Sequence, residues 1–582
     1  MSVDTHQTAD HRDLIDAALS DLSAGEKAWA GLPLLKRADL LDRVRALTGT
    51  HGADWVAASA SIKRLGPHSA LLGEEWMSGP YAFATGLGAA AQTLRDLVAG
   101  RSPVADASFG TAAGQTTVRV LPSSVYDSLL LSGFTADVWL RPGVDAAQAK
   151  AAAGLAQLDP TVTGGIGVVL GAGNITSIAP LDVIYELLAH NRVVALKLNP
   201  LTDPLLPVLE QVLEPLISLG AIRILTGGAD VGEYLVGHDA VAHVHMTGSA
   251  NTHDAIVWGT GEQARERRAQ NNPRLTKPIT SELGGVSPAI VVPGRWSASD
   301  LRFQAEHIAT QRLHNGGYNC VAAQVVVVSA DWDQKQEFLD ALREAFASAP
   351  ARVCYYPGSD DRVGAARTAY PEAEQLGTAD ERLLVTGLSL DDRGERSDGE
   401  CDEAILRTEY FGPVLGVLEL PGTGTEFLTT ATDAANNHFL GTLGINVIAH
   451  PGTIAELGQA FETMIADLRY GTIAVNAWTG VGFLSAAATW GAFPGHTMDD
   501  IQSGTGVVHN AFLLADTERT VVRGPFRPAP RSVLHREWSI SPKPPWFVTN
   551  RTAATTGRLL ADFASAPSPL KLPAIFASAL RG

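Results

Sequence analysis

A chain of 582 residues is too long for a single hydrophobic core and is expected to divide into two or three domains. Apolar residues make up 45% and charged residues 18%, the balance of a folded globular protein rather than a disordered one. The formal charge of −18 excludes a nucleic-acid surface, which needs a concentrated basic face.

Taken in chain order, the polar start "MSVDTHQTADHRD" lacks the basic-then-apolar order of a signal peptide. No run approaches the roughly 20 apolar residues that span a bilayer. Three cysteines, Cys320, Cys354 and Cys401, form no C-x-x-C pair, which points to a reducing compartment. The expected location is the cytoplasm, with no membrane partner.

To about residue 100 the pattern is helical, with apolar residues at three- and four-residue intervals in "RADLLDRVRALTGTH". Two strands are expected in "SSVYDSLLLSG" and "TADVWLRPG", joined near Gly133. From Thr161 short apolar runs such as "GIGVVLGAGN", "VVALKLNP" and "AHVHMTG" alternate with helical segments, which implies βαβ units and a parallel sheet. The "RERR" of residues 265–268 reads as a solvated helix face. A second alternating series follows "SELGG" at 281–285, including "VAAQVVVV", the helix "DQKQEFLDALREAFASA" and "GTIAVNAW". The predicted fold class is therefore α/β, with two successive doubly wound parallel-sheet domains. Beyond residue 495 regularity weakens into a proline-rich strap, and the last residues, "LPAIFASALRG", predict a short helix packed on the protein's own surface.

Four places carry candidate chemistry. "GLGAAA" at 86–91 fits a dinucleotide fingerprint formally, but no strand delivers it to a helix start, so packing of small residues between helices explains it better. "HVHMTGSANT" reads as a strand ending in Thr247-Gly248-Ser249 before a helix, where Gly admits a phosphate and Ser offers a cap. His243 and His245 share a strand face but have no further ligand at metal-like spacing, so no metal is expected. Glu282, beside a Gly-Gly turn and taken to open a strand, is a candidate general base if burial raises its pKa. Cys320 follows Asn315-Gly316-Gly317, a flexible turn that exposes the sulfur where backbone N–H groups lower its pKa. Cys354 and Cys401 have no such setting.

Together and in order, these segments resemble the aldehyde dehydrogenase superfamily over roughly residues 160–505. "HNGGYNC" is similar to the family's N-x-G-x-x-C box and "ELGGVSP" to its E-L-G-G-x-S-P motif; the resemblance implies Cys320 as nucleophile and Glu282 as general base. "GAGNITSIAP" implies Asn174 as the oxyanion-hole amide, and "ALKLNP" implies Lys197 at the adenosine ribose. Thr247, Gly248 and Ser249 resemble the pyrophosphate turn, while "EYFGPVLGV" implies Glu409 at the nicotinamide ribose and Phe411 at the ring. The implied activity is oxidation of an aldehyde to an acid with NAD or NADP through a cysteine thioester. The implied domains are residues 1–281, helices plus a dinucleotide-binding domain interrupted by a hairpin at about 120–145; residues 282–478, catalytic; and residues 479–582, returning to the cofactor domain with an oligomerisation strand and a tail. Since family hairpins and C-terminal strands pair between subunits, a homodimer or homotetramer is expected.

The sequence also departs from that pattern. No second glycine stands near His253, a long segment separates Ser249 from Glu282, and the tail beyond about Arg531 is long. Pro200 replaces the acidic residue often found three positions after the lysine, which removes repulsion against a 2′-phosphate, so NADP is expected to be tolerated or preferred. The Trp- and Phe-containing segment 476–493 is expected to border the substrate tunnel and to favour an apolar or aromatic aldehyde. Three alternatives stand beside this reading: a CoA-acylating relative, a non-catalytic nucleotide-binding homologue, and a thiol esterase.

Overall fold

The computed structural model describes residues 5–377, 381–388, 390 and 403–582; Cys401 lies outside them. Among the described residues the continuous Val/Ile runs form two large sheets. "IGVVL", "VVALK" and "VVVVS" are buried along nearly their whole length, as strands covered on both faces must be.

The first sheet has six strands in the order Gly504–Thr505, Ile279–Leu283, Val241–Gly248, Ile166–Leu170, Val193–Lys197 and Ile222–Leu225. All pairings are parallel except the two-residue edge strand Gly504–Thr505. From Ile166–Leu170 the chain first builds outward on one side, to Val193–Lys197 and Ile222–Leu225. It then returns to the other side with Val241–Gly248. The carboxyl ends on either side of that reversal form the crevice where doubly wound sheets bind ligands. Gly171–Asn174 and Thr247–Ser249 leave the sheet there.

The second sheet has eleven strands: Phe109–Ala112, Gln115–Leu121, Thr135–Leu140, Thr517–Arg523, Thr472–Val475, Gly444–Ile448, Ala289–Val291, Val325–Ser329, Val414–Leu420, Arg382–Leu388 and Glu374–Leu376. Its seven central members, Thr517–Arg523 to Arg382–Leu388, run parallel. The expected hairpin and C-terminal strand thus pair in cis, Thr135–Leu140 against Thr517–Arg523 and the latter against Thr472–Val475. On the hairpin side the sheet ends in the edge strand Phe109–Ala112.

One sequence expectation fails outright. "SSVYDSLLLSG" is a helix, Val125–Leu130, because Ser124 and Asp127 form a reciprocal capping box at its start. The hairpin strand lies upstream, at Gln115–Leu121. "GLGAAA" sits inside the helix Ala82–Val98, where a Cβ on Gly86 would lie 2.8 Å from Leu181 Cδ2, so small residues serve close packing as expected. The "RERR" helix, Gly261–Ala269, buries none of its residues. The last helix, Leu572–Ala579, packs Ile575 against Leu560, Phe563 and Met77. No described helix is long and apolar enough to cross a membrane.

Candidate active site

The turn that carries the sulfur is an unusual piece of backbone. The helix Ala298–Leu313 ends in Asn315, Gly316 and Gly317 at φ of 54°, 71° and 84°, three successive left-handed residues. Gly317 is required on a second count, since a Cβ there would lie 2.7 Å from the Gly412 carbonyl oxygen. Asn315 holds the turn together. Its Nδ2 donates to the carbonyls of Asn174 (3.1 Å) and Tyr318 (3.0 Å), and its Oδ1 accepts from the Tyr355 hydroxyl at 2.9 Å. Its backbone N–H donates to Glu74 Oε2 at 3.0 Å, so the N-terminal helical layer braces the nucleophile loop. Asn174 Nδ2 donates to Tyr318 O at 3.0 Å, which leaves its other amide hydrogen free to face a ligand.

All nine residues singled out from the sequence line one cavity of about 910 Å³: Asn174, Lys197, Thr247, Gly248, Ser249, Glu282, Cys320, Glu409 and Phe411. That volume lies in the range of cofactor clefts. Its remaining lining is largely apolar and includes Ile178, Met246, Ile256, Tyr356 and Leu440.

Glu282 lies near the end of its strand, not at the opening the sequence suggested, beside Thr247 in register. It is buried, and burial pushes its carboxyl up to about 7; the Cys320 thiol, Trp490 and His245 pull the other way, while the Asp182 charge adds to the rise. Cys320 is accessible from the cavity but otherwise enclosed. Burial pushes its thiol well up, and the charges of Glu282 and Glu409 push it further. The expected lowering by backbone N–H groups is present but is outweighed by burial and by the Glu282 and Glu409 charges, so attack by the sulfur needs a base. Glu282 is that base by position.

Burial raises the Glu409 carboxyl to about 8 against the pull of Arg312 and Arg362. A Cβ on Gly284 would fall 2.0 Å from Glu409 Oε1, so the Gly-Gly turn after Glu282 makes room for that side chain. Phe411, at a φ of 32°, packs edge-on against Tyr356 with ring centroids 4.9 Å apart, and Arg362 lies 5.8 Å from its ring. Lys197 ends its strand at the cavity; burial lowers its ammonium, and Asp203 and Asp230 raise it. Ser249 caps the helix Ala250–Val257 by accepting from Thr252 N at 3.2 Å. His253, where a glycine was absent, is buried inside that helix.

Sequence reasoning missed Tyr356, Arg362, Tyr355 and Glu74. The pair Tyr355-Tyr356 before Pro357-Gly358 was the one local signal available. None of residues 476–493 lines the cavity, contrary to expectation; Phe483 packs behind the lining residues Ala172 and Ile178.

The chain is a two-sheet α/β protein in which a cysteine and a buried carboxyl line one cavity at the sheet crevice. The profile of the aldehyde dehydrogenase family matches residues 165–358, which include Asn174, Glu282 and Cys320. Among curated relatives, it is 27% identical over 277 residues to geranial dehydrogenase of Castellaniella defragrans, covering 44% of this chain and 50% of that one. It is 23% identical over 218 residues to D-glyceraldehyde dehydrogenase (NADP(+)) of Picrophilus torridus, covering 34% and 40%. The chain thus spans about half the length of the curated relatives it matches. Among solved structures, P. syringae indole-3-acetaldehyde dehydrogenase AldA, in complex with NAD+ and IAA, superposes with a TM-score of 0.56 at 19% identity, covering 88% of this chain and 89% of that one. Pseudomonas syringae AldC, in complex with NAD+ and octanal, gives 0.58 at 17% identity and 90% coverage of each chain. These likenesses establish a shared fold.

Proposed function

We propose that the protein oxidises an aldehyde to a carboxylic acid with NAD(P)+ through an acyl group held on Cys320. The observation that carries this reading is that Cys320 and the buried Glu282 carboxyl line one cavity of about 910 Å³ together with the other residues singled out. Lys197 would hold the adenosine ribose, Thr247, Gly248 and Ser249 the pyrophosphate, and Glu409 and Phe411 the nicotinamide end. Glu409 Oε1 is buried without a hydrogen-bond partner, which suits a carboxylate awaiting ribose hydroxyls. A bound nicotinamide supplies the acceptor for the hydride that leaves the adduct carbon.

The chain's own residues do the rest. Glu282 takes the thiol proton as sulfur attacks the carbonyl carbon, giving a thiohemiacetal. The free amide hydrogen of Asn174 and the Cys320 backbone N–H face the developing oxyanion, each contributing about 3 kcal/mol. Once the adduct is oxidised to a thioester and Glu282 has given the thiol proton up to solvent, Glu282 takes a proton from the attacking water, and sulfur leaves with the bonding electrons. A buried base in the same cavity as the nucleophile is what hydrolysis needs and transfer to coenzyme A does not. A strict requirement for CoA would overturn that part of the reading.

NADP is read as accepted, since Pro200 lines the cavity three residues after Lys197, where it presents no carboxylate. The apolar lining favours an apolar aldehyde. Formation of reduced nicotinamide from hexanal, octanal, benzaldehyde and glyceraldehyde, with NAD+ and with NADP+, tests both statements. Cys320→Ala is expected to abolish turnover, a loss on the order of 10⁴-fold or more. A strong preference for NAD+, or for glyceraldehyde, contradicts the corresponding statement.

A further inference from the structure

Behind the candidate base lies a row of buried ionisable side chains that the reaction above leaves unused. The helix Ile178–Ala189 puts Asp182 and Glu186 on one face, and the strand Val241–Gly248 puts His243, His245 and Thr247 on one face. The two faces pack together. Asp182 Oδ2 accepts from Thr247 Oγ1 at 3.2 Å and stands 3.5 Å from His245 Nε2. His245 Nδ1 lies 3.0 Å from Thr280 Oγ1, two residues before Glu282 and on the same strand face. Further along, His243 Nδ1 is 3.7 Å from Glu186 Oε2, which accepts from Arg192 Nη1 at 2.8 Å. The His190 ring stands 6.2 Å from that of His243. Glu282, Asp182, His245, Glu186 and His243 are buried, whereas His190 and Arg192 are partly exposed. The row therefore runs from the active-site carboxyl, at the carboxyl ends of the strands, to the surface at their amino ends.

Two properties separate it from a structural ion network. Glu282 Oε1, Asp182 Oδ1, His245 Nε2 and His243 Nδ1 all lack a hydrogen-bond partner, and each such buried atom costs about 1–3 kcal/mol. An apolar helix–sheet contact would be more stable. In addition, acid and imidazole alternate along the row, and imidazole passes a proton between its two nitrogens near neutral pH, which arginine or lysine does not.

We infer that this row is a proton exit for Glu282, with Asp182 and His245 as positioning residues that reset the base. The inference rests on Glu282 acting as the base. In deacylation a water O–H bond breaks, its oxygen bonds to the acyl carbon, and its proton goes to the Glu282 carboxylate. One proton then enters the row at His245 and Asp182, and one leaves at the His190 end. The cavity can stay filled by dinucleotide while the base is restored.

His245→Gln, Asp182→Asn and the double variant test this, with Glu282→Gln as reference and the fastest aldehyde of the panel as probe. Stopped-flow formation of reduced nicotinamide reads acylation, and quenched acid release reads deacylation. The burst rate is expected to stay within about twofold, while acid release slows by about tenfold or more. The double variant is expected to be no slower than the slower single one, because a path cut once is already cut. Acid release unchanged in both single variants overturns the inference. So does an equal fall in burst and acid release, or effects that multiply in the double variant, since both mark a packing defect. Should these variants fold poorly by near-ultraviolet circular dichroism, Thr280→Val removes only the hydroxyl beside His245 and is expected to slow acid release alone, several-fold; an unchanged rate counts against the row. If Glu282→Gln releases acid at the wild-type rate, the base reading itself fails; if Glu282→Gln alone is slow, only the row fails.

Discussion

Two buried carboxylates, Asp300 and Glu282, live in opposite surroundings. Asp300, under the C-terminal strap, accepts a bidentate pair from Arg527 at 2.9 and 2.8 Å, a bond from Ser297 Oγ at 2.8 Å, and another from Arg531. Burial pushes its carboxyl up, but Arg527, Ser297 and Arg531 outweigh burial and hold it below the usual range. Arg527 is matched in turn by Glu537 at 2.7 Å. Glu282 has one oxygen without a partner, no cation bonded to it, and a carboxyl raised to about 7. Both chains of contact are buried and polar. The one that ties the strap down is satisfied, and the one beside the cysteine is left wanting, which costs stability and leaves a group able to accept a proton.

Substitutions should therefore separate the two regions. Glu282→Gln is expected to slow acid release by about 10²–10⁴-fold, the usual weight of a general base. In the wild-type protein that step should rise with pH through about 7 and level above it, whereas the variant should be flat. The stability effect has the opposite sign. A carboxyl whose folded pKa is raised is protonated in both states at acid pH, and its folded-state penalty appears only as pH rises above the unfolded value towards 7. Glu282→Gln should accordingly raise Tm at pH 8 and leave it unchanged at pH 4.5, by differential scanning calorimetry. Asp300→Ala should do the reverse, costing about 3–5 kcal/mol by stranding buried Arg527, while burst kinetics per folded molecule stay as in wild type. Asn174→Ala should lower the acylation burst by about 10²–10³-fold, with little change in thermal midpoint. Smallest is Ser124→Ala, which removes the cap of Val125–Leu130 for about 1 kcal/mol and should leave turnover untouched.

The same contrast explains what was legible in the sequence. Cys320 and Glu282 sit in local motifs whose glycines are demanded by the backbone around them, so both were visible as short strings. The alternation from Thr161 onward was visible because buried parallel strands must be continuous apolar runs. Val125–Leu130 was misread because a capping box of two residues overrode an apolar, strand-like composition. Asp182 and His245 were invisible as a pair: they are far apart in sequence and meet only when the helix Ile178–Ala189 packs on the strand Val241–Gly248. Glu74 is hidden for the same reason, reaching the Asn315 backbone from a separate layer. The pairing of Thr517–Arg523 with Thr472–Val475 in cis is a matter of register, which no local pattern encodes.

The central claim is that acyl transfer passes through Cys320 and is resolved by Glu282. Its most direct test is peptide mass spectrometry of Glu282→Gln after mixing with the fastest aldehyde of the panel and NAD(P)+. Because Glu282 also takes the thiol proton, the variant is expected to acylate slowly, but the account predicts that the acyl adduct it does form on the Cys320 peptide persists, whereas wild type clears it. An unmodified Cys320 in a variant that still forms reduced nicotinamide would contradict it.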